Sequence, residues 1–175
     1  MSPLWPDQIG IALYPDRLLL ARTGGRLRRR LKHKEIISLA PADADAPLWQ
    51  PAVDALATRV AAGAMAGARV TVALSNRFAN YALIPYSDAL GSAEEELAYV
   101  RHCFSRVHGA QVDGWAIRLS HTSPRMTQLA CGVEQALVDA LAKVMAPLGN
   151  HYCSLQPHLM ASFNRWRRRL TGRPA

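Results

Sequence analysis

Cysteine is scarce in this 175-residue chain. The three present, Cys103, Cys131 and Cys153, are odd in number and widely spaced, which excludes a disulfide framework and reads as reduced thiols. No apolar run approaches the ~18 residues of a membrane span, and the N-terminus (Trp5, Pro6, Asp7) lacks the basic-then-apolar order of a secretory signal. These absences predict a cytosolic protein. There is no GxSxG elbow, no phosphate-cradling GxxxxGK[ST] and no HExxH, so the common hydrolase, P-loop and zinc-protease signatures are missing. Internal repeats and low-complexity segments are absent too.

Acid is missing from two particular places. The formal charge is +8, yet seven basic residues and no acid lie between Arg22 and Lys34, and five arginines lie between Arg165 and Arg173. The remaining nine basic residues face thirteen acids. A positive field confined to two short segments suits local contacts to an anionic partner better than uniform nucleic-acid binding. Arg28, Arg29 and Arg30 in the first run and Arg167, Arg168 and Arg169 in the second are the candidate contacts; a solvated hairpin tip and a terminal tail are the plain alternative.

What is present is strong punctuation. Ile9, Ile11 and Leu13 alternate, Tyr14-Pro15-Asp16-Arg17 turns the chain, and Leu18 and Leu20 resume the alternation, which is a hairpin. After Thr23-Gly24-Gly25 the basic run leads into a third strand at Ile36, Ile37 and Leu39, its exposed half carrying Arg28, Arg30 and Lys32. The connector 41–48 is rich in proline and aspartate, and Val53, Leu56 and Val60 then mark an amphipathic helix ending near Gly63. Val70, Val72 and Leu74, then Tyr81 and Leu83 beyond an Asn76–Asn80 turn, predict a two-stranded ribbon with these residues on its buried face, leaving its sheet at Ile84-Pro85. Ser92 with Glu95 three residues on is a capping box, so a helix starts there, with Leu97, Val100, Phe104 and Val107 as its expected core face.

Past a Gly109 break, Trp115, Ile117 and Leu119 alternate, as do Leu129, Cys131 and Val133, with Ser123-Pro124 between them. A periodic helix (Leu137, Leu141, Val144, Met145, Leu148) closes at Gly149, followed by a strand over 151–155 and a last helix carrying Met160, Phe163 and Trp166. The order βββαββαββαβα predicts an α/β (α+β mixed) fold: one domain over 1–175 with a basic tail 165–175, a mixed sheet flanked by helices, and a small strand-strand-helix insertion.

Three segments give that order a family resemblance. The opening IGIALYPDRLLLARTGG is similar to the first hairpin of an actin-like lobe, and specifically resembles the PilM/GspL-type assembly proteins of type IV pili and type II secretion. VTVALSNRFANYALIPYSDAL with the EEELAYVRHCF helix resembles that family's strand, strand, proline and helix; LVDALAKVMAPLGNHYCSLQPHLMASFNRW resembles the helix, glycine, strand and helix closing its first lobe. The resemblance implies a ribonuclease-H/actin-like single lobe. It also implies a cytoplasmic adaptor, peripheral to the inner membrane, whose partners are an inner-membrane pilus or secretion assembly protein and the assembly ATPase. An actin-like nucleotide site needs a carboxylate and glycines in the first hairpin, so that metal charge is balanced and phosphate can approach the backbone. Ala12 and Tyr14 stand at those positions, and Asp16 falls in the turn, where it is expected to face solvent. The chain also stops where a second lobe would begin, as in a fragment or a single-lobe relative. No ATP hydrolysis, no cofactor and no catalytic residue are expected.

Other chemistry is weaker in the residues. Neighbours on a helix point ~100° apart, so His102 and Cys103 do not make a thiolate–imidazole pair. His151 and Cys153 share a strand face but lack further ligands, so no metal site is assigned. A ribonuclease-H-like nuclease would need a carboxylate in its first strand, and Ile9–Leu13 has none. Glu94, Glu95 and Glu96 are explained by the helix dipole. A nucleic-acid-binding module using Arg22–Lys34 remains as the other alternative, although that run has no aromatic for base stacking. The tail SFNRWRRRLTGRPA either meets anionic lipid or packs Met160, Phe163 and Trp166 on the domain; their spacing favours packing. The adaptor reading takes a short segment of a membrane partner by strand addition on the Val70–Ile84 ribbon, with Arg77, Tyr81 and Tyr86 as contacts.

Overall fold

The structure, a computed structural model, describes residues 6–25, 29–120 and 125–170, the side chains of 164, 165 and 167–170 excepted. Trp5, Arg28, the Ser123-Pro124 connection and the arginine side chains at 165, 167, 168, 169 and 173 therefore lie outside the described residues. The elements follow the predicted order: β1 (Asp7–Leu13), β2 (Arg17–Gly24), β3 (Arg30–Ser38), α1 (Gln50–Ala61), β4 (Ala68–Leu74), β5 (Asn80–Ile84), α2 (Ala93–His108), β6 (Trp115–Leu119), β7 (Gln128–Glu134), α3 (Gln135–Met145), β8 (Tyr152–Pro157) and α4 (His158–Leu170). Two short 3-10 segments, Gly109–Gly114 and Ala146–His151, lie before β6 and β8. No helix among the described residues is long and apolar enough to cross a membrane. Backbone contacts divide the chain into two compact units, residues 1–77 with 140–175, and residues 78–139.

The first unit holds a five-stranded mixed sheet in the order β3-β2-β1-β4-β8. β1, β2 and β3 run antiparallel, while β4 is parallel to both β1 and β8. The registers stack the alternating apolar residues into rows: Ile9 beside Val70, Ile11 between Leu20 and Val72, Leu13 between Leu18 and Leu74. All eight are buried. Each such burial is worth about 1.5–3 kcal/mol, so these rows hold the sheet's register. On α1, Ala52, Val53 and Leu56 are buried, and the helix packs on β2. Pro51 stands in the first turn of α1, where its missing N–H costs nothing, and the helix stops just before Gly63, which has φ +71°.

The second unit is an antiparallel sheet, β5-β7-β6, with α2 over one face. Ile84, Val100, Phe104, Val112, Trp115, Ile117 and Ala130 form its core, with Ala82, Tyr99, Cys103 and Leu119 against it. Trp115 meets Phe104 edge-on at 5.7 Å between ring centroids, and Gly132 leaves room for the indole.

Four expectations are corrected. Val70–Ile84 is not a ribbon: β4 lies inside the first unit's sheet between β1 and β8, whereas β5 pairs with β7 in the second. Period-2 alternation identifies a strand without naming its partner, and Val70, Val72 and Leu74 find better apolar company beside Ile9, Ile11 and Leu13. The insertion therefore comprises β5, α2, β6 and β7 rather than strand, strand and helix. Leu97 and Val107 are 37% and 78% exposed. Val107 lies in the last turn of α2, past Phe104, the last buried residue of that helix, and Leu97 lies before Val100, the first. Phe163 and Trp166 are 43% and 44% exposed, so the stripe expected to pack is covered only in part. A step of three residues rotates about 60° short of a full helical turn, so two such steps from Met160 carry Trp166 away from the centre of the covered face.

Candidate partner-binding edge

Each sheet has two outer strands, and their unpaired main-chain groups are where another chain could add. β3 is defended by charge, carrying Arg30, Lys32, His33, Lys34 and Glu35. β6 carries Arg118. β8 is uncharged, but it ends at Pro157 and exposes no large apolar side chain. β5 differs from all three: Asn80–Ile84 has no charge and no internal proline, and Leu83 is 73% exposed.

The geometry of β5 follows from its pairing. Tyr81 lies opposite Cys131 and Leu83 opposite Leu129. Ala82 and Ile84, on the alternate face, enter the core under α2. Tyr81 and Leu83 therefore share the face turned from the helix. Beyond the strand, Pro85 ends the pairing and Tyr86, 45% exposed, donates its phenol to Asp88 Oδ1 at 2.8 Å. That carboxylate holds the Tyr86 pKa above its ordinary 10.0. Ile84, Pro85, Tyr86, Leu90, Glu96 and Gln128 line a cavity of about 200 Å³ at the end of the edge. Gln128 Nε2 donates to Glu96 Oε1 at 2.5 Å there.

The cavity's other wall is the start of α2. Ser92 Oγ accepts the Glu95 N–H at 3.2 Å, and Glu95 Oε2 accepts the Gly91 N–H at 2.7 Å. The capping box thus forms, with its carboxylate reaching one residue further back than the Ser92 N–H. Glu94, Glu95 and Glu96 occupy the first turn, as the helix dipole favours.

The remaining candidates are dispersed. Arg77 is exposed in the turn after β4, its N–H donating to Ser75 Oγ at 3.2 Å, and belongs to the first unit, whereas Tyr81 and Tyr86 belong to the second. Only the two tyrosines flank one edge. Arg29 and Arg30 are exposed, and Arg29 donates to Gln8 Oε1. Arg22, at the head of the basic run, is instead built into the fold: its guanidinium donates to the Ala66 carbonyl at 2.7 Å and lies 3.5 Å from Asp7. Leu83, expected with Tyr81 on a buried face, is instead exposed, because Ala82 and Ile84 are the β5 residues that enter the core under α2.

The first hairpin places Asp16 in solvent, its side chain 68% exposed and 3.5 Å from Arg17, whose guanidinium lies 4.9 Å from the Tyr14 ring centre. Cys153 is exposed with Arg69 Nε 3.3 Å from its sulfur, and its thiol reaches the His151 carbonyl at 3.5 Å. His151 ends the 3-10 segment rather than sharing the β8 face. His102 is exposed and Cys103 half-buried against the core, as their helical offset requires. Among the described residues no group of three His, Cys, Asp or Glu side chains could hold a metal ion.

No protein-family model matches the sequence, and no curated protein does. Solved structures do match the fold. The cytoplasmic domain of EpsL, an inner-membrane component of the Vibrio cholerae type II secretion system, aligns over 86% of this chain and 57% of its own at a TM-score of 0.62 and 10% identity. A PilM-PilN type IV pilus biogenesis complex aligns over 95% and 52%, at 0.59 and 16% identity. A Bacteroides thetaiotaomicron protein with an actin-like ATPase fold aligns over 86% and 52%, at 0.50 and 9% identity. At such identities the likeness is one of fold, and the fold is actin-like. This chain spans little more than half the length of the chains it matches.

Proposed function

We propose that this chain is a non-enzymatic adaptor of a type IV pilus or type II secretion assembly platform, working at the cytoplasmic face of the inner membrane. Its partner is an inner-membrane assembly protein that presents a short extended segment, and the assembly ATPase is a second partner of the same platform. The observation that carries the reading is the β5 edge, uncharged and bearing Leu83 at 73% exposure where the β3 and β6 edges carry charge. A segment added along β5 gains affinity from main-chain hydrogen bonds and specificity from side chains against Tyr81, Leu83 and Tyr86. The fold shared with an EpsL cytoplasmic domain and with a PilM-PilN complex supports the choice of machine. Ile9–Leu13 of β1 carries no carboxylate, the strand's one acid, Asp7 at its start, is paired with Lys32 and Arg22, and Asp16 is held outward beside Arg17, which supports a role without ATP hydrolysis.

A photo-crosslinking residue placed at Leu83 in the native host tests this, with the same residue at Val107, 78% exposed on α2, as the control. Position 83 should capture an inner-membrane pilus or secretion protein through its cytoplasmic segment, and position 107 should not. Leu83→Asp should lower recovery of that protein by about tenfold or more, the effect of a buried apolar anchor worth at least ~1.4 kcal/mol. Equal capture at both positions, or capture only of nucleic acid, would overturn the adaptor reading.

A further inference from the structure

The basic β2–β3 hairpin presents a second surface, independent of β5 and in the other unit. Between Arg22 and Thr23 the pairing with β3 slips by one residue, so Leu31 faces Thr23 while Lys34 and Ile36 face Ala21 and Leu19. The bulge therefore brings Leu31, Lys34 and Ile36 to one face of the sheet, opposite to the face of the buried Leu18 and Leu20. Leu31 and Ile36 are 59% and 56% exposed there. On the other face the carboxylates are already taken: Asp7 lies 2.7 Å from Lys32 and 3.5 Å from Arg22, and Glu35 is paired with Arg59. Arg30 and Lys34 have no ion pair among the described residues.

We propose that β3 is a docking edge for an extended acidic segment of another protein, which adds as a strand with an acid facing Lys34 and an apolar residue facing Ile36. Charge on an edge strand often serves only to repel other edges. Repulsion needs no exposed leucine and isoleucine beside the lysine, and the charge that rejects a second copy of this strand selects an acidic one. A polypeptide matches the alternating N–H and C=O groups of a nine-residue edge, which a lipid headgroup or a nucleic-acid backbone does not. The described part of the run also lacks an aromatic on which a base could stack.

The test is fluorescence anisotropy of the full chain with a labelled eight-residue peptide, Glu-Ser-Val-Ser-Glu-Ser-Val-Ser, whose glutamates and valines, two residues apart, share one strand face. Three comparisons accompany it: the peptide with lysine for glutamate, the peptide N-methylated at alternate residues, and phosphatidylglycerol vesicles. The glutamate peptide should bind, the lysine peptide should not, and N-methylation should weaken binding at least tenfold. Arg30→Glu with Lys34→Glu, both exposed and expected to keep the melting temperature, should reverse the preference towards the lysine peptide. Leu83→Asp should leave binding unchanged, which separates this site from the β5 edge. Equal binding of the N-methylated peptide, loss on Leu83→Asp, or binding of the vesicles without the peptide would overturn the proposal.

Discussion

Gly132→Ala is the substitution for which the structure gives the most definite expectation. Gly132 lies in the central strand β7, opposite Ile117 on one side and Asn80 on the other. Its backbone is not left-handed, so alanine brings no backbone penalty. The added Cβ would, however, lie 2.6 Å from Trp115 Cε3 and 3.2 Å from Cζ3. Relief requires the indole to retreat about 1 Å towards ordinary carbon contact at about 3.5 Å. It has nowhere to go: Trp115 is 6% exposed, held edge-on by Phe104 and with His108 at 5.0 Å between centroids. Overpacking of this kind costs about 1–3 kcal/mol, and alanine's smaller entropy loss in a strand returns about 0.5–1 kcal/mol. A net loss of about 1–2 kcal/mol remains. For a body the size of the second unit this lowers the melting temperature by about 4–8 °C per kcal/mol. Calorimetry or near-ultraviolet circular dichroism would read it. The decisive version is a cycle with Trp115→Leu, which removes the clashing ring atoms: in that background Gly132→Ala should stabilise by about 0.5–1 kcal/mol, leaving a coupling equal to the overpacking cost, about 1–3 kcal/mol. An equal penalty in both backgrounds, or none in either, would refute the packing argument.

Other expectations follow from the same contacts. Ser92→Ala removes the acceptor of the Glu95 N–H and should cost about 1 kcal/mol in an unfolding titration, with Ser92→Asp retaining most of it. Among the thiols, Cys153 is exposed and should be alkylated in the native protein, whereas Cys131 is buried and should react only on unfolding. Burial pushes the Cys131 thiol up to about 11 from 9.0. The folded state therefore holds its proton longer than the unfolded chain, so this contribution is complete below pH 9 and is lost as pH rises towards 11. The loss amounts to about 2–3 kcal/mol at ~1.4 kcal/mol per unit, and Cys131→Ala should flatten the alkaline side of the stability profile. If wild type and variant lose stability in parallel above pH 9, the thiol is not the group responsible.

Much of this fold is local and was legible for that reason. Strand and helix periods, Pro85, the Ser92 box, Gly63 and Gly149 are all written within a few residues of one another, and the element order follows from them. Asp16 in solvent and the offset of His102 from Cys103 are equally short-range, since turn and helix geometry alone decide them. What the sequence could not determine is which strand lies beside which. β4 and β5 read as one ribbon because they adjoin in the chain, yet they belong to different sheets, because only distant residues, Ile9, Ile11 and Leu13 or Leu129 and Cys131, supply each with a partner. The fates of Leu97, Val107, Phe163 and Trp166 were set by where each lies relative to the covered part of its helix. The candidate edges arose the same way: Leu83 became an exposed edge residue, and Leu31 came to share a face with Ile36, only once pairing and a single bulge were in place. Local residue chemistry specifies each strand and helix, but an edge is a property of the assembled sheet, since it exists only where tertiary structure leaves a strand without a neighbour.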